Sequence, residues 1–196
     1  MSTIVAVEKK RAVAIAWDSM FATGSVYSPN CVSPSKVVRL GNSFIGVAGF
    51  TVYATILGDY QAKRKAELGD ESAILRFFVQ FWRDLQSRYH LVNSQSDSSN
   101  PSPFADLDAE FLVVNPRGIF RVKEILSVSR FERFCAIGSG SEYAEGALSV
   151  LYDSDLPAAA LAKRAVEVAL QFDRASGGTV LAEELRGKRA PKGRAN

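Results

Sequence analysis

The sequence is poor in the residues on which many enzymes depend. It has one histidine, His90, and two cysteines, Cys31 and Cys135, among 196 residues. The cysteines form neither a CxxC pair nor a zinc-ligand spacing, which excludes the common metal and dithiol motifs. A Ser-His-Asp triad would have to use His90, which lies near the end of a predicted helix, where a surface histidine is favoured. We therefore expect any acyl transfer by this chain to use a base other than imidazole.

The chain also lacks long apolar runs. No segment approaches the ~18–20 consecutive apolar residues that a membrane helix needs. The N-terminus has no basic region followed by an apolar stretch, the pattern of a signal peptide. With two cysteines read as free thiols, we expect a cytoplasmic protein with no membrane contact. The composition, 47% apolar and 23% charged residues, is typical of one globular domain with a buried core.

The net charge of +3 comes from the C-terminal tail. The last eleven residues contain no acidic residue and five basic ones, Arg186, Lys188, Arg189, Lys192 and Arg194. The other 19 basic and 21 acidic residues give the body of the chain a net charge of −2. We expect one domain at 2–185 and a disordered tail at 186–196. A nucleic-acid-binding module is an alternative, but the tail has no interleaved aromatic residues and phosphate contact alone gives only nonspecific affinity, so no nucleic-acid partner is expected.

Hydrophobic periodicity predicts strands and helices in alternating groups. The predicted strands are 3–8, 12–17, 36–40, 43–48, 110–115, 118–123, 125–128 and 179–181, and residues 135–137 lead into the Gly138-Ser139-Gly140 segment. The predicted helices are 50–68, 71–92, 142–152 and 157–174. Asp70 is the expected N-cap of the second helix, and the polar segment 93–104, with two prolines, is expected to be an exposed loop.

The order of these elements predicts the fold class. Successive strands are joined by short turns, which makes most of the pairing antiparallel. Two groups of helices are available to cover two sheets. We therefore expect a single α+β domain built as a four-layer αββα sandwich, with a three-layer α+β domain as the alternative.

The first residues carry the candidate chemistry. Removal of Met1 would leave Ser2 with a free α-amine beside its own hydroxyl. An α-amine titrates near ~7.7–8.0 and can accept a proton at neutral pH. A serine hydroxyl needs such a base to act as a nucleophile. The hypothesis is an N-terminal-nucleophile hydrolase, and the alternative is an ordinary N-terminal strand.

Six segments occur in a defined order along residues 2–185. They are Ser2-Thr3-Ile4-Val5-Ala6-Val7, Ala16-Trp17-Asp18, Lys36-Val37-Val38-Arg39-Leu40, Gly46-Val47-Ala48-Gly49, the run from Ala136 to Ala144, and Asp173-Arg174-Ala175-Ser176-Gly177-Gly178. Together they resemble the proteasome β-subunit superfamily and its bacterial branch, HslV. A serine in place of threonine, the bulky Trp17 and a longer 93–104 loop resemble a small group of betaproteobacterial proteasome homologues.

The resemblance implies catalytic roles for seven residues. Ser2 would be the nucleophile, and Asp18 would hold Lys36 close to it, since an unpaired buried ammonium is costly. The separation of sixteen residues from Asp18 favours Ser2 over Thr3 as the first residue of the mature chain. The N–H of Gly49 would donate to the developing oxyanion. The residues implied to hold the α-amine and its water are Ser139, Asp173 and Ser176. Without the resemblance, an ordinary Asp18–Lys36 ion pair and a tight Gly-Ser-Gly turn are the alternatives.

The resemblance also implies an assembly and a substrate. The chain would form a homo-oligomeric double ring with its active sites inside, where it cleaves peptides or unfolded proteins. Val38, Val47 and Thr51 would receive the substrate residue before the cut. The 93–104 loop would lie at the pore. No cofactor is expected, and an AAA+ unfoldase is a conceivable partner that no motif indicates. A catalytically weak or inactive proteasome-fold assembly or binding protein is the alternative.

Overall fold

The structure, a computed structural model, describes residues 2–23, 26–27, 31, 35–63, 68–91 and 107–186. Its strands are β1 (Ile4–Lys9), β2 (Ala12–Asp18), β3 (Ala22–Thr23), β4 (Val26–Tyr27), β5 (Val37–Leu40), β6 (Ser43–Gly49), β7 (Ala109–Asn115), β8 (Gly118–Val122), β9 (Val128–Phe131), β10 (Phe134–Ile137) and β11 (Val180–Arg186). Its helices are α1 (Thr51–Lys63), α2 (Glu71–Asp84), α3 (Ser141–Leu151) and α4 (Ala158–Ala169), and α2 continues into a π-helical turn at Leu85–Tyr89.

Two antiparallel sheets form the centre of the domain. The first sheet has the strand order β10-β1-β2-β11, and the second has the order β5-β6-β7-β8-β9. A short β3–β4 ribbon lies apart from both. Helices α3 and α4 pack on the first sheet, and α1 and α2 pack on the second. The predicted four-layer αββα sandwich is confirmed, and the three-layer alternative is wrong.

Each pair of neighbouring layers encloses its own apolar cluster, and β1 shows how the sequence divides between them. Val5 and Val7 point into the cluster under α3 and α4. Ile4 and Ala6, which alternate with them, point into the cluster between the two sheets. Phe78 of α2 belongs to the third cluster, on the far side of the second sheet. A strand buried on both faces reads as a continuous apolar run, which is why β1 and β2 show little alternation in sequence.

Several element boundaries differ from those predicted. The strand expected at 125–128 starts three residues later, as β9 at Val128–Phe131. Residues before it form a turn, in which Leu126 has a φ of 62° and donates its N–H to the Lys123 carbonyl at 2.8 Å. The last strand extends to Arg186, one residue past the predicted domain boundary, because it pairs with β2 along its whole length. The helix predicted to reach residue 68 has ended before Leu68. The helix predicted at 157–174 ends at Ala169.

The second predicted helix is confirmed at its start and shorter at its end. The Asp70 carboxylate accepts the N–H of Ala73 at 2.9 Å, as expected of an N-cap. Regular helix gives way to the π-helical turn after Asp84, and His90 ends the element with a left-handed φ of 52°. The predicted 93–104 loop and residues 187–196 lie outside the described residues. In the described parts of the chain, no helix has the length and apolarity required to cross a membrane.

The antiparallel pairing brings distant parts of the chain to one end of the sandwich, where strands of both sheets begin or finish. We call this end the shared edge. In the first sheet, β1 begins at the edge where β2 and β10 end and β11 begins, since Ile4 pairs with both Trp17 and Ile137. In the second sheet, β5 begins at the edge where β6 ends. Polar residues of the quoted motifs occupy this edge in both sheets.

Gly46 allows the two sheets to approach closely beside this edge. A Cβ atom at Gly46 would lie 2.7 Å from Cγ2 of Ile4 and 3.4 Å from Cδ1 of Ile15.

We predict that Gly46→Val overpacks the core and lowers the free energy of unfolding by about 1–3 kcal/mol, measured by urea denaturation. Gly58→Ala in α1 is the control, because nothing lies within 4 Å of its Cβ position. That variant should gain about 0.5–1 kcal/mol, and an equal loss in both would contradict the close-approach argument.

Candidate active site

A buried carboxylate, Asp18, links four chain segments at the shared edge. Asp18 is the last residue of β2 and is fully buried. Its Oδ1 accepts the N–H of Thr3 at 2.9 Å, while its Oδ2 accepts Lys36 Nζ at 2.8 Å and the N–H of Gly177 at 3.0 Å. Three donors therefore satisfy the charge of one carboxylate inside the protein, as a buried charge requires.

Lys36 lies directly before β5 and reaches across from the second sheet to the first. Burial lowers the pKa of Lys36 from its ordinary value, and the attraction and hydrogen bond of Asp18 oppose that shift without cancelling it. The ammonium also lies 5.6 Å from the centre of the Phe21 ring, within the range of a cation–π contact. A buried lysine of lowered pKa beside a carboxylate is a common feature of catalytic sites.

A second carboxylate, Asp173, organises the hydroxyl groups on the other side of the edge. Its Oδ2 accepts Ser139 Oγ at 2.7 Å and Ser176 Oγ at 2.6 Å, and its Oδ1 accepts the N–H of Ala175 at 3.0 Å. Burial raises the pKa of Asp173, but the bonds from Ser176, Ser139 and Ala175 outweigh it and leave the pKa below its ordinary value. Asp173 is therefore an anion at neutral pH.

The anionic state of Asp173 fixes the direction of the hydroxyl protons. A carboxylate only accepts, so Ser176 must donate its single proton to Asp173. Ser176 Oγ lies 2.7 Å from Thr3 Oγ1, and with its own proton committed it can only accept there. The fully buried Thr3 hydroxyl therefore donates to Ser176. Thr3 is held by its N–H, its carbonyl and its side chain, since its carbonyl also accepts the N–H of Asp18 at 3.2 Å.

The Gly138-Ser139-Gly140 segment packs directly on the start of the chain. Its Ser139 Oγ and the N–H of Gly140 each lie 3.5 Å from the Ser2 carbonyl oxygen. Gly138 has a φ of 90°, and a Cβ atom there would collide with the Ser2 carbonyl. A Cβ at Gly140 would collide with the Thr3 hydroxyl. Both glycines are therefore required for Ser2 and Thr3 to lie where they do.

Gly49 ends β6 on the second sheet, and its N–H faces the side of Lys36. The N–H of Val47 donates to the Lys36 carbonyl at 2.9 Å, and alternate N–H groups of a strand point to the same side. The N–H of Gly49, two residues on, shares that direction. A Cβ atom at Gly49, whose φ is 153°, would lie 2.7 Å from the Ala109 Cβ and 2.9 Å from the Asp108 carbonyl oxygen. No other residue fits without displacing β7.

The three residues predicted to bind substrate are less closely grouped. Val38 and Val47 are buried in the cluster beneath α1 and α2, with Val47 directly opposite Lys36 in the backbone pairing. Thr51 is exposed at the first position of α1. Among the sequence-predicted site residues, the structure thus joins Asp18 with Lys36 through one carboxylate, and Ser139, Asp173 and Ser176 through another. Ser2 is placed next to the second group by its carbonyl, which lies near Ser139 and Gly140. Gly49 directs its backbone N–H to the Lys36 side of β6.

Three contributors to the site were not assigned by sequence reasoning. Gly177 donates its N–H to Asp18, and the Ser-Gly-Gly motif is the signal that could have placed it there. The Thr3 hydroxyl joins the Asp173 network, a contact between residues 173 positions apart that no local pattern reveals. Phe21 lies over the Lys36 ammonium, and it belongs to a segment outside every predicted strand and helix.

The described residues offer no metal-binding group of three or more His, Cys, Asp and Glu side chains. Cys135, which is buried, is a free thiol. Burial, with a smaller contribution from Glu145, raises the pKa of the Cys135 thiol to about 12, so this residue carries no thiolate at neutral pH. The side chains that the structure brings together at this edge carry hydroxyl, carboxylate and ammonium groups.

The Asp18–Lys36 pair should matter for stability as well as chemistry. We predict that Lys36→Met lowers the free energy of unfolding by on the order of 3 kcal/mol, because it leaves the buried Asp18 carboxylate without its counter-charge. Asp18→Asn combined with Lys36→Met should recover part of that loss, since the uncompensated charge is then removed. Urea denaturation measures both.

The control for this prediction is an exposed ion pair. Arg164 and Glu167 lie 3.0 Å apart on the surface of α4. Arg164→Ala should change stability by less than about 1 kcal/mol. A Lys36→Met protein as stable as the wild type would show that the buried pair does not hold the two sheets together at this edge.

The comparisons with known proteins agree with this architecture. No family model matches the chain. The bacterial proteasome homologue BPH of Thiobacillus denitrificans is 28% identical, with a TM-score of 0.87 over 96% of this chain and 100% of that chain. A second structure of that protein, in complex with epoxomicin, gives a TM-score of 0.86 at 28% identity over 95% of this chain and 100% of that chain. Eukaryotic HslV from Trypanosoma brucei, 21% identical, shares the fold with a TM-score of 0.69 over 94% and 99% of the two chains. The resemblance and the fold predicted from the ordered motifs are thereby confirmed: this chain is similar to BPH and has the proteasome/HslV fold.

Proposed function

We propose that this protein is a cytoplasmic, self-compartmentalising peptidase whose nucleophile is the Ser2 hydroxyl after removal of Met1. Its similarity to proteasome-type hydrolases supports a peptidase at the level of the superfamily. The observation that carries the choice of nucleophile is the commitment of the neighbouring Thr3 hydroxyl to the Asp173 network.

Ser2 and Thr3 are the two candidate nucleophiles, and the contacts separate them. An attacking hydroxyl must reach a substrate carbonyl and give up its proton to a base. The Thr3 hydroxyl is fully buried, and its proton is used in the hydrogen bond to Ser176. It is therefore poorly placed to attack a substrate carbonyl. Ser2 is one residue closer to the terminus, and its carbonyl is held by the Gly138-Ser139-Gly140 segment. Loss of Met1 would place the new α-amine on Ser2 itself.

The proposed reaction is an acyl transfer followed by hydrolysis. The α-amine accepts the proton of Ser2 Oγ as this oxygen attacks the peptide carbonyl. The Lys36 ammonium, held by Asp18, lowers the pKa of the hydroxyl and disfavours protonation of the amine. The tetrahedral intermediate collapses when the α-ammonium protonates the leaving amine, which leaves an ester on Ser2. Water then attacks that ester with the α-amine as base, which releases the acid product and restores the hydroxyl.

The remaining site residues would support this reaction from fixed positions. The N–H of Gly49 points to the Lys36 side of β6 and would donate to the oxyanion, and loss of one such donor can cost ~10²–10³ in rate. Ser139, Asp173 and Ser176 would orient the α-amine and its water. The surface at Thr51, above Val38 and Val47, would take the side chain that precedes the cut.

A peptide epoxyketone tests the nucleophile, because it closes one ring through two bonds: a hydroxyl adds to its ketone and a free α-amine opens its epoxide. One structural relative was solved in complex with epoxomicin. We predict that epoxomicin adds its mass to the protein at Ser2, that Ser2→Ala abolishes the adduct, and that Thr3→Ser retains it. Intact mass followed by peptide mapping locates the site, and circular dichroism confirms that each variant is folded.

Two outcomes would contradict this assignment. An adduct on Thr3, or labelling that survives Ser2→Ala, would place the nucleophile elsewhere. Protein from cells that retains Met1 and takes up no epoxomicin would favour a proteasome-fold assembly protein without activity.

The proposed double ring needs apolar surface on the single chain, and the helices of the first sheet provide it. Tyr143 of α3 and Phe172 after α4 stack on each other with ring centres 5.5 Å apart, and Phe172 remains 61% exposed. Val150 on α3 is 81% exposed. Large apolar side chains grouped on one surface are typical of contacts between subunits.

We predict that the wild-type protein has a solution mass many times its chain mass of 21.3 kDa, and that Phe172→Glu reduces it. Buried negative charge without a partner disrupts an apolar interface. Ile125→Glu, at a residue of comparable exposure between β8 and β9, is the control and should leave the mass unchanged. Light scattering after size exclusion measures both. A monomeric wild-type protein would remove the double ring while leaving the chemistry of Ser2 to the epoxomicin test.

A further inference from the structure

A basic cleft lies at the opposite end of β1 from Ser2. It has a volume of about 350 Å³ and is lined by Glu8, Lys9, Lys10, Arg11, Arg130, Glu132, Arg133 and Tyr152. The cleft is formed by the β1–β2 turn, the β9–β10 connection and the end of α3. Six residues of β1, roughly 20 Å of extended chain, separate it from the candidate active site. It is therefore distinct from the peptidase chemistry proposed above.

The backbone at this cleft is strained at three basic residues. Lys10 and Arg11 form the two-residue turn between β1 and β2 with φ values of 47° and 66°. Such a turn strongly prefers Asn-Gly, because other residues are disfavoured at positive φ. Arg133 has a φ of 70° inside a three-residue turn closed by the N–H of Phe134 on the Glu132 carbonyl at 2.9 Å, a rare conformation. Strain retained at side chains that share a cavity suggests a function for those side chains.

Two of the five cations are anchored and shape the cleft. Lys9 Nζ donates to the Tyr152 carbonyl at 2.6 Å and to the Ser154 carbonyl, at the end of α3. The Arg133 guanidinium lies 4.1 Å from the centre of the Tyr152 ring and pairs with Asp153 at 3.1 Å. These contacts hold positive charge on one wall.

The other cations are available to a ligand. Lys10 and Arg11 are exposed, and no described residue forms a hydrogen bond or ion pair with either side chain. Arg130 is also exposed and donates one Nη2 bond, at 3.2 Å, to the Arg117 carbonyl. Two guanidinium groups and an ammonium therefore face solvent around one cavity with most of their donors unused.

The cleft has a net positive charge, whereas the chain without its tail has a net negative charge. Five cations and two carboxylates line it, while the chain without its tail carries 19 basic and 21 acidic residues. Like charges gathered on an otherwise acidic body repel one another and are not required by the fold. An anion between them would relieve that repulsion.

We infer that the basic cleft binds an oligophosphate, an anion with two or more linked phosphate groups. Arginine donates two parallel N–H bonds to a phosphate, and several arginines with a lysine match an anion that spreads its charge over several groups. A cavity of this size holds a diphosphate or triphosphate but is small for a folded partner. Free inorganic oligophosphate and the phosphate chain of a nucleotide share this chemistry.

Titration calorimetry of the full-length protein tests the inference with inorganic tripolyphosphate, pyrophosphate, orthophosphate, ATP and citrate. Tripolyphosphate should bind more tightly than pyrophosphate, and orthophosphate most weakly, with affinity falling as salt rises. ATP binding as tight as that of tripolyphosphate identifies a nucleotide as an eligible ligand, and weaker ATP binding favours the inorganic form. Both results support the cleft as an oligophosphate site.

The strained turn supplies a variant that should fold better while it binds worse. Lys10→Asn with Arg11→Gly removes two charges and provides the preferred turn sequence. We expect its melting temperature to rise by about 2–4 °C and its tripolyphosphate affinity to fall about tenfold. Lys163→Gln with Arg164→Gln, on the exposed face of α4, removes the same charge elsewhere and should bind like the wild type.

Three results would overturn the inference. They are absence of tripolyphosphate binding to the wild type at low salt, equal loss of affinity in the turn variant and the α4 variant, and citrate binding as tight as that of tripolyphosphate. The second would reflect net charge alone, and the third would show no preference for phosphate. If the first result came with ATP binding, the nucleoside would carry the recognition.

Discussion

The buried contact between Asp18 and Lys36 is the interaction on which the candidate site depends. Asp18 ends a strand of one sheet and Lys36 lies directly before a strand of the other, so their 2.8 Å contact joins the two sheets at one edge. Removing two charges from water is costly, and this carboxylate recovers the loss through three donors. Two of those donors, the N–H groups of Thr3 and Gly177, fix the start of the chain and the segment before β11. One side chain thus sets the relative positions of the sheets and the N-terminal residues.

Close packing then turns this arrangement into a defined site. Gly138 lies so close to the Ser2 carbonyl, and Gly140 so close to the Thr3 hydroxyl, that no Cβ atom fits at either glycine. Gly46 allows a similarly close approach between the two sheets. Asp173 gathers the hydroxyls of Ser139 and Ser176 and, through Ser176, that of Thr3. The protons of this network have a single consistent direction because its centre is an anion. The hydroxyl next to Thr3 in the chain, that of Ser2, is therefore the one proposed to react.

Most of the fold followed from local patterns, and the errors occur where tertiary contacts decide. Both N-terminal hairpins were predicted within one or two residues, since apolar runs and turn residues define them. The strand expected at 125–128 was displaced because Leu126 takes a left-handed turn that its sequence does not favour. Strand β11 is longer than predicted because pairing with β2 extends it through the acidic and exposed residues Glu183 and Glu184. Its sequence alone gives little sign of that partner.

The order of six short motifs, through its resemblance to the proteasome/HslV proteins, indicated the fold and the polar residues worth considering. Apolar periodicity likewise determined that two helical groups cover two sheets. Tertiary structure alone decided that Thr3 and Ser176, 173 positions apart, share a hydrogen bond, that Phe21 covers Lys36, and that five cations line one cleft. The reason is physical: sequence spacing governs neighbours along a strand or helix, whereas contacts between distant segments depend on how layers pack and which strands meet at an edge.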